Sequence, residues 1–229
     1  MENKKQEVYI VIAAYNEERK IINVITSLQQ NGYSSIIVVD DGSKDNTGVN
    51  AEKVGAIVIR HPINRGQGAA LKTGFDFALG QNAQIIVTFD ADGQHKAEEI
   101  SFLTTPIETG EVEVCLGSRF LGKVSNVSWH RKLLLKGGAL IMWLFYGIKL
   151  TDSHNGFRAF SVQALAKLDL KEDRMEHASE IVEQIGKKQL SYKEIPVTIV
   201  YTDYSLQKGQ RSSAAFKILW NMIKNKVLR

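Results

Sequence analysis

A rhythm of short apolar runs and helical stretches constrains this chain more than any other feature. The runs are β-branched and apolar, each long enough for one buried strand. They alternate with stretches whose apolar residues fall at helical spacing. Tyr9-Ile10-Val11-Ile12 is the first run; Ile21, Val24, Ile25 and Leu28 follow on one helical face, and Asn31-Gly32 stops that helix. Ile36 to Val39 is the second run, after which Asp45-Asn46-Thr47 offers caps for a helix to Val54. Ile57-Val58-Ile59, a helix from Ala69 to Ala78, a strand from Ile85 to Phe89 and another from Val112 to Leu116 continue the series. Continuous apolar strands between helices predict an α/β fold: a mostly parallel central sheet covered by helices on both faces. In such sheets ligands sit beyond the carboxyl ends of the strands. The polar residues leaving each strand are therefore the ones to read for function.

With 229 residues, 44% apolar and 24% charged, the chain suits one large domain with a substantial core. Its single cysteine, Cys115, excludes a disulfide scaffold and any zinc site built on several thiolates. The net charge of +4 hides an asymmetry. Val114 to Thr151 carries six basic residues and no acid, and so does the segment after Asp203. The rest then holds 17 basic against 25 acidic residues, which points to an anionic partner at one face. The longest apolar stretch, Ala139 to Tyr146, is too short to span a bilayer. The run Val8 to Tyr15 leads into Asn16-Glu17-Glu18-Arg19 without a cleavage signal. A cytoplasmic protein, apposed to the inner face of the cell membrane, is expected. Nucleic acid is not an expected partner, because the aromatics form no stacking series between the basic residues.

The strand exits are acidic. Ala14-Tyr15-Asn16-Glu17 follows the first strand, Asp40-Asp41-Gly42-Ser43 the second, and Asp90-Ala91-Asp92-Gly93-Gln94-His95 the fourth. Such carboxylates on one edge repel unless a cation or ligand donors lie among them. Asp90 and Asp92, on the turn leaving the fourth strand, can aim at one centre; with the Gln94 amide they form a hard oxygen set suited to Mg²⁺ or Mn²⁺. Two nucleotide motifs are approached and missed. Gly66-Gln67-Gly68-Ala69-Ala70-Leu71-Lys72-Thr73 has Leu71 where a phosphate-wrapping loop needs glycine, and Gly66-x-Gly68 lacks the third glycine of a dinucleotide fingerprint.

Tyr-Asn-Glu, Val-Val-Asp-Asp-Gly-Ser, Asn64-Arg65-Gly66-Gln67-Gly68, Asp-Ala-Asp-Gly-Gln-His and Gly117-Ser118-Arg119-Phe120 occur in order at these strand exits. Over about residues 7–210 the chain resembles glycosyltransferase family 2, with the GT-A fold, and is particularly similar to its dolichyl- and undecaprenyl-phosphate sugar transferases. The resemblance implies an inverting, metal-dependent transfer of a hexosyl or N-acetylhexosaminyl group. The donor would be a UDP- or GDP-linked sugar and the acceptor a polyprenyl phosphate, in the synthesis of cell-envelope polysaccharide or glycoconjugate. Ala13, Tyr15, Glu17 and Asp41 match positions that hold the donor nucleoside, bordered by Val39 and Asp40. Asp90, Asp92 and Gln94 match the metal motif, with Ala91 against the ribose-diphosphate. Arg119, Arg131 and Lys136 match basic residues beside the acceptor phosphate.

The same resemblance divides the chain into a GT-A domain, residues 1–211, and a basic amphipathic C-terminal helix, residues 212–229. Within the domain a nucleotide-sugar half (about 1–118) precedes an acceptor half (119–211). Asp152 and Arg158 belong to an Asp-x-x-x-Gly-Phe-Arg segment under the acceptor site, where they are expected either to serve the site or to pair structurally. Glu176 and Glu180, four apart, stand where many members carry an acidic catalytic residue. They would serve a hydroxyl acceptor as base, or merely cap and solvate a helix. Lys208 and Arg211 lie in the segment matching a loop that closes over donor diphosphate. The apolar stretch after Arg131-Lys132 reads as a core helix or an interfacial one at the acceptor entrance. Phe216, Leu219, Ile223 and Val227, interleaved with lysines, suit a membrane surface or a small membrane-protein partner. The alternatives are transfer to a sugar hydroxyl of a growing polysaccharide, and a non-catalytic nucleotide-sugar-binding subunit of a membrane complex.

Overall fold

The computed structural model describes residues 7–121 and 147–200. Among the described residues, seven strands form one sheet: β1 (Val8–Ala14), β2 (Ile36–Asp40), β3 (Ile57–Arg60), β4 (Ile85–Thr88), β5 (Val114–Ser118), β6 (Arg158–Ser161) and β7 (Tyr192–Pro196), in the order β3-β2-β1-β4-β6-β5-β7. β1 pairs in parallel with both β2 and β4, β2 with β3, and β5 with β7. Only β6 runs against its neighbours β4 and β5. The first four strands lie where their apolar runs predict, with ends shifted by a residue or two. β6 and β7 are the strands the rhythm misses, because Arg158-Ala-Phe-Ser is short and starts on an arginine, and Tyr192-Lys-Glu-Ile-Pro is half charged or polar.

The α-helices of the described residues are α1 (Ile21–Gln30), α2 (Thr47–Lys53), α3 (Gln67–Leu79), α4 (Ile100–Glu108), α5 (Val162–Lys167) and α6 (His177–Lys187). Strand residues alternate between two cores. Ile10, Ile12 and Ala14 pack with α1 and α4, whereas Tyr9 and Val11 pack with Leu71 and Phe75 of α3 and Ile181 and Ile185 of α6. Both faces are therefore covered, as the continuous apolar strands require. Close approach fixes one residue of α3: a Cβ on Gly74 would collide with the Val11 side chain, so the helix lies directly on β1.

Chain order places the site. From β1 the sheet grows through β2 to β3 on one side, then restarts at β4 on the other. The loops leaving β1 and β4 therefore part in opposite directions and open a crevice above their carboxyl ends. Among the described residues, no helix is long and apolar enough to cross a membrane. Arg131, Lys136, Lys208, Arg211, the apolar stretch 139–146 and the basic segment 212–229 lie outside the described residues.

Candidate active site

Three loops build the crevice, and each is fixed by hydrogen bonds that its own sequence supplies. The β1 exit turns through Asn16 at φ 54°, a left-handed conformation that asparagine tolerates. Asn16 N–H donates to Ser43 Oγ (2.9 Å), its Oδ1 accepts from Lys44 N–H (2.9 Å), and Glu17 N–H donates to Thr47 Oγ1 (2.7 Å). These bonds bolt the first strand's loop to the second's and leave Tyr15 and Glu17 at the crevice.

At the end of β2 the two aspartates part, as consecutive strand residues must. Asp40 turns toward α2, its Oδ1 accepting from Ser43 N–H at 2.9 Å. Asp41 faces the crevice and accepts from Gly66 N–H (2.7 Å) on Oδ2, and from Arg65 N–H (3.0 Å) and His61 Nδ1 (2.7 Å) on Oδ1. The other ring nitrogen of His61 lies 3.0 Å from Thr73 Oγ1. Asp41 thus anchors the turn into α3. The two glycines that hint at a phosphate loop have a packing cause. Cβ atoms on Gly66 or Gly68 would strike the backbone of Glu172 and Asp173, whose carbonyl also receives Ala69 N–H at 3.0 Å.

At the end of β4, Asp90 Oδ2 meets His95 Nε2 at 2.9 Å and its Oδ1 accepts from the Gln67 amide at 3.3 Å. A Cβ on Gly156 would lie 3.0 Å from both Asp90 oxygens, so glycine leaves the carboxylate its room. His95 is wedged against Phe89 and Phe157, with ring centroids 5.5 and 4.8 Å away. Asp92 Oδ1 accepts from Gln94 N–H (3.0 Å) across a turn that Gly93 makes at φ 75°. Burial and the adjacent Asp90 charge push the Asp92 carboxyl up to about 6. Burial also opposes the Asp90 charge, but His95, with Arg158 behind it, outweighs that and holds Asp90 below the usual carboxylate range. Arg158 is only 3% exposed and donates to the carbonyls of Asn155 (2.9 Å), Ser153 (3.3 Å) and Ala178 (3.1 Å).

The crevice is a cavity of about 360 Å³. Ala13, Ala14, Tyr15 and Glu17 line it from β1, Asp41 from β2, and Asp90, Ala91 and Asp92 from β4. Asn64, Gly66, Gln67 and Ala70 close it at the start of α3. Seven of the residues that the sequence singles out therefore meet in one place. Val39 does not; it is fully buried in the core beneath. Nor does Gln94 line the cavity: its backbone N–H donates to Asp92 and its carbonyl receives Val200 N–H at 2.9 Å. Among the described residues no three His, Cys, Asp or Glu side chains converge as a ready-made metal cage. Asp90 and Asp92 nonetheless fit a hard cation held by one or two carboxylates, with substrate oxygens completing its shell.

The segment around Asp152 and Arg158 departs from expectation in its pairing. Asp152 pairs with Arg119 (Nε to Oδ2, 2.6 Å) and not with Arg158, because Arg158 is already satisfied by carbonyls. Glu194 of β7 accepts from the N–H groups of Thr151 (2.8 Å) and Asp152 (3.1 Å), and Ser118 and Thr151 share a 2.6 Å hydroxyl contact. Arg119 is therefore held in place at the exit of β5, outside the cavity lining. Glu176 stands at the N-cap position of α6 without a side-chain capping bond, and Glu180 accepts from Lys171 N–H (3.0 Å) and Glu172 N–H (3.0 Å). Glu180 is a clamp on the segment that presses on Gly66 and Gly68, and neither glutamate lines the cavity. Sequence reasoning misses His61 altogether and assigns no supporting role to His95, whereas Arg158 is flagged but with Asp152 as its expected partner. His61 reaches Asp41 across twenty residues and Arg158 reaches Ala178 across twenty, contacts that no local pattern encodes.

His177, 5% exposed at the start of α6, gives a pH prediction. Burial pushes its pKa down to about 4, against a bond from Nδ1 to the Arg174 carbonyl (2.6 Å). The unfolded chain takes this proton first, so stability is complete above about 6.5 and is lost as pH falls toward the folded value. Asp92, raised in the fold, contributes with the opposite sign. Comparison with His177→Asn cancels the Asp92 contribution. Between pH 7 and pH 4 the native chain should lose about 2–3 kcal/mol relative to that variant in denaturant titrations. Parallel curves would contradict a buried neutral His177.

Relatives agree with this geometry. A family model described as Glycosyl transferase family 2 matches residues 9–169. The UDP-N-acetylglucosamine–dolichyl-phosphate N-acetylglucosaminyltransferase of Methanococcus voltae is 36% identical over 237 residues, covering 94% of each chain. The polyprenol monophosphomannose synthase of Mycolicibacterium smegmatis is 32% identical, over 72% of this chain and 65% of its own. A crystal structure of glucosyl-3-phosphoglycerate synthase from Mycobacterium tuberculosis, in complex with Mn²⁺, uridine diphosphate and phosphoglyceric acid, superposes with a TM-score of 0.70. It covers 95% of this chain and 78% of that one, at 18% identity, and so shares the GT-A fold. The acidic crevice at the switch point of the sheet and the match across most of the chain lead to one assignment: this chain belongs to glycosyl transferase family 2 and is a glycosyltransferase.

Proposed function

We propose that this glycosyltransferase moves a sugar from a nucleoside-diphosphate sugar to a polyprenyl phosphate, with inversion at the anomeric carbon. The observation that carries the reading is the single cavity onto which Asp41, Asp90 and Asp92 all open. The Methanococcus voltae and Mycolicibacterium smegmatis relatives, by their names, use lipid phosphate or polyprenol acceptors, which supports the choice of acceptor.

Tyr15, Glu17 and Asp41 would hold the nucleoside, with Ala13 and Ala91 giving the ribose a close apolar floor. Asp90 and Asp92 would hold Mg²⁺ or Mn²⁺. When bound, that cation supplies charge neutralisation for the leaving diphosphate. His95 and Gln67 orient Asp90, and the Gln94 N–H orients Asp92. A phosphate acceptor is already anionic, so it needs cationic positioning for in-line attack more than a general base. Arg119, fixed through Asp152 and Glu194, and Arg131 would provide that positioning. Lys208 and Arg211 would close over the diphosphate. The acid-free basic stretches would hold the protein peripherally on the inner face of the membrane, each engaged Lys or Arg contributing about 1 kcal/mol at an anionic surface.

Incubation with radiolabelled nucleotide sugars, Mn²⁺ and short-chain polyprenyl phosphate, followed by solvent partition, tests the acceptor. Label is expected in the lipid phase. Glu176→Gln should keep most of its turnover, whereas Arg131→Ala should lose nearly all. Label that stays with water-soluble glycan, with Glu176 indispensable, would move the acceptor to a sugar hydroxyl.

A further inference from the structure

We propose that Asp41 and His61 together make the cavity selective for a uridine over a guanosine nucleotide; this rests on the donor reading above. The argument is a count of acceptor sites. A carboxylate offers about four lone-pair sites, two on each oxygen, and only accepts. Asp41 Oδ1 already receives two donors, His61 Nδ1 at 2.7 Å and Arg65 N–H at 3.0 Å. Oδ2 receives one, Gly66 N–H at 2.7 Å. One site remains, on Oδ2 alone.

Nucleobases differ in what they bring to such a site. Uracil presents one ring N–H, between two carbonyl oxygens. Guanine presents two parallel donors, the ring N–H and the exocyclic amine, which a carboxylate matches only with a site open on each oxygen. Here the Oδ1 site is filled, so one guanine donor would be left buried and unpaired, a penalty that protein interiors enforce strongly. Cytosine has no ring N–H at the corresponding position and turns a lone pair toward the carboxylate.

His61 is the specificity-determining member because it can be changed without changing the backbone donors. Facing a carboxylate, its Nδ1 carries the proton. Its ring is nearly enclosed, with a side-chain exposure of 9%, and its far nitrogen is held 3.0 Å from Thr73 Oγ1 of α3. The imidazole therefore cannot swing away to make room for a guanine donor. Asp41 is similarly fixed, at 4% side-chain exposure.

Calorimetry of the full chain in Mg²⁺, with UDP, GDP, CDP and N3-methyl-UDP as probes, tests this. UDP should bind at least about tenfold more tightly than each of the others, the scale of one unpaired buried polar group. His61→Asn keeps a donor near the Nδ1 position and should preserve the UDP-to-GDP ratio. His61→Leu opens the Oδ1 site and should lower that ratio at least threefold. A purely structural role for His61 would weaken both nucleotides alike and leave the ratio fixed, which would overturn its assignment. GDP binding as tightly as UDP, or N3-methyl-UDP as tightly as UDP, would overturn the acceptor count while the glycosyltransferase reading stands. Binding of none of the four would overturn both.

Discussion

Asp92→Asn is expected to lower turnover at least ~100-fold, the scale of losing one electrostatic donor at a reacting centre. The residue sits on a strand-exit turn, and its contact with the Gln94 N–H can be kept by the amide oxygen. Its thermal midpoint should therefore stay near that of the native chain. Burial and the Asp90 charge together raise the Asp92 carboxyl, so removing the charge relieves a repulsion in the resting protein. The variant is expected to be at least as stable as the parent while nearly inactive. Full turnover in Asp92→Asn, or in the native chain with excess chelator, would sink the metal role.

The second large effect is on stability. Arg158→Met should cost about 3 kcal/mol or more, because three buried carbonyls lose their donor at once. For a chain of this size that is a fall of roughly 6–12 °C in Tm. Arg158→Lys should recover only part of it, since an ammonium cannot reproduce the planar fork that reaches Asn155, Ser153 and Ala178 together. The Arg158 charge also helps to hold Asp90 ionised, so the variants should lose activity beyond what partial unfolding explains. A midpoint unchanged in Arg158→Met would mean that water or a neighbour satisfies those carbonyls.

The elements legible in the sequence are those whose signal is local. The buried strands β1, β2 and β4 read as continuous apolar runs because both faces of the sheet are covered. The acidic exits of those strands read as a site because a parallel sheet sends all its carboxyl ends to one edge. Tyr15, Glu17, Asp41, Asp90 and Asp92 line the cavity for that reason. Val39 borders Asp40 and Asp41 in sequence, and strand alternation turns its side chain into the core. Gln94 stands outside the cavity lining, and its backbone N–H serves Asp92.

What the sequence hides is contact between distant residues. Asp152 stands six residues from Arg158 and thirty-three from Arg119, yet the carbonyls around Arg158 and the Glu194 clamp on 151–152 send it to Arg119. Gly66 and Gly68 look like a phosphate loop until the backbone of 172–174 is found lying on them. Glu180 resembles a base in spacing, and two backbone N–H groups make it a clamp. No periodicity encodes such pairings, because they depend on which loops the sheet order brings together.

A crystal structure with UDP and Mn²⁺ bound tests the central claim most directly. The account predicts an anomalous manganese peak between the diphosphate and the Asp90–Asp92 pair, with the nucleobase at Asp41. A nucleotide bound elsewhere, or manganese remote from both aspartates, would contradict it.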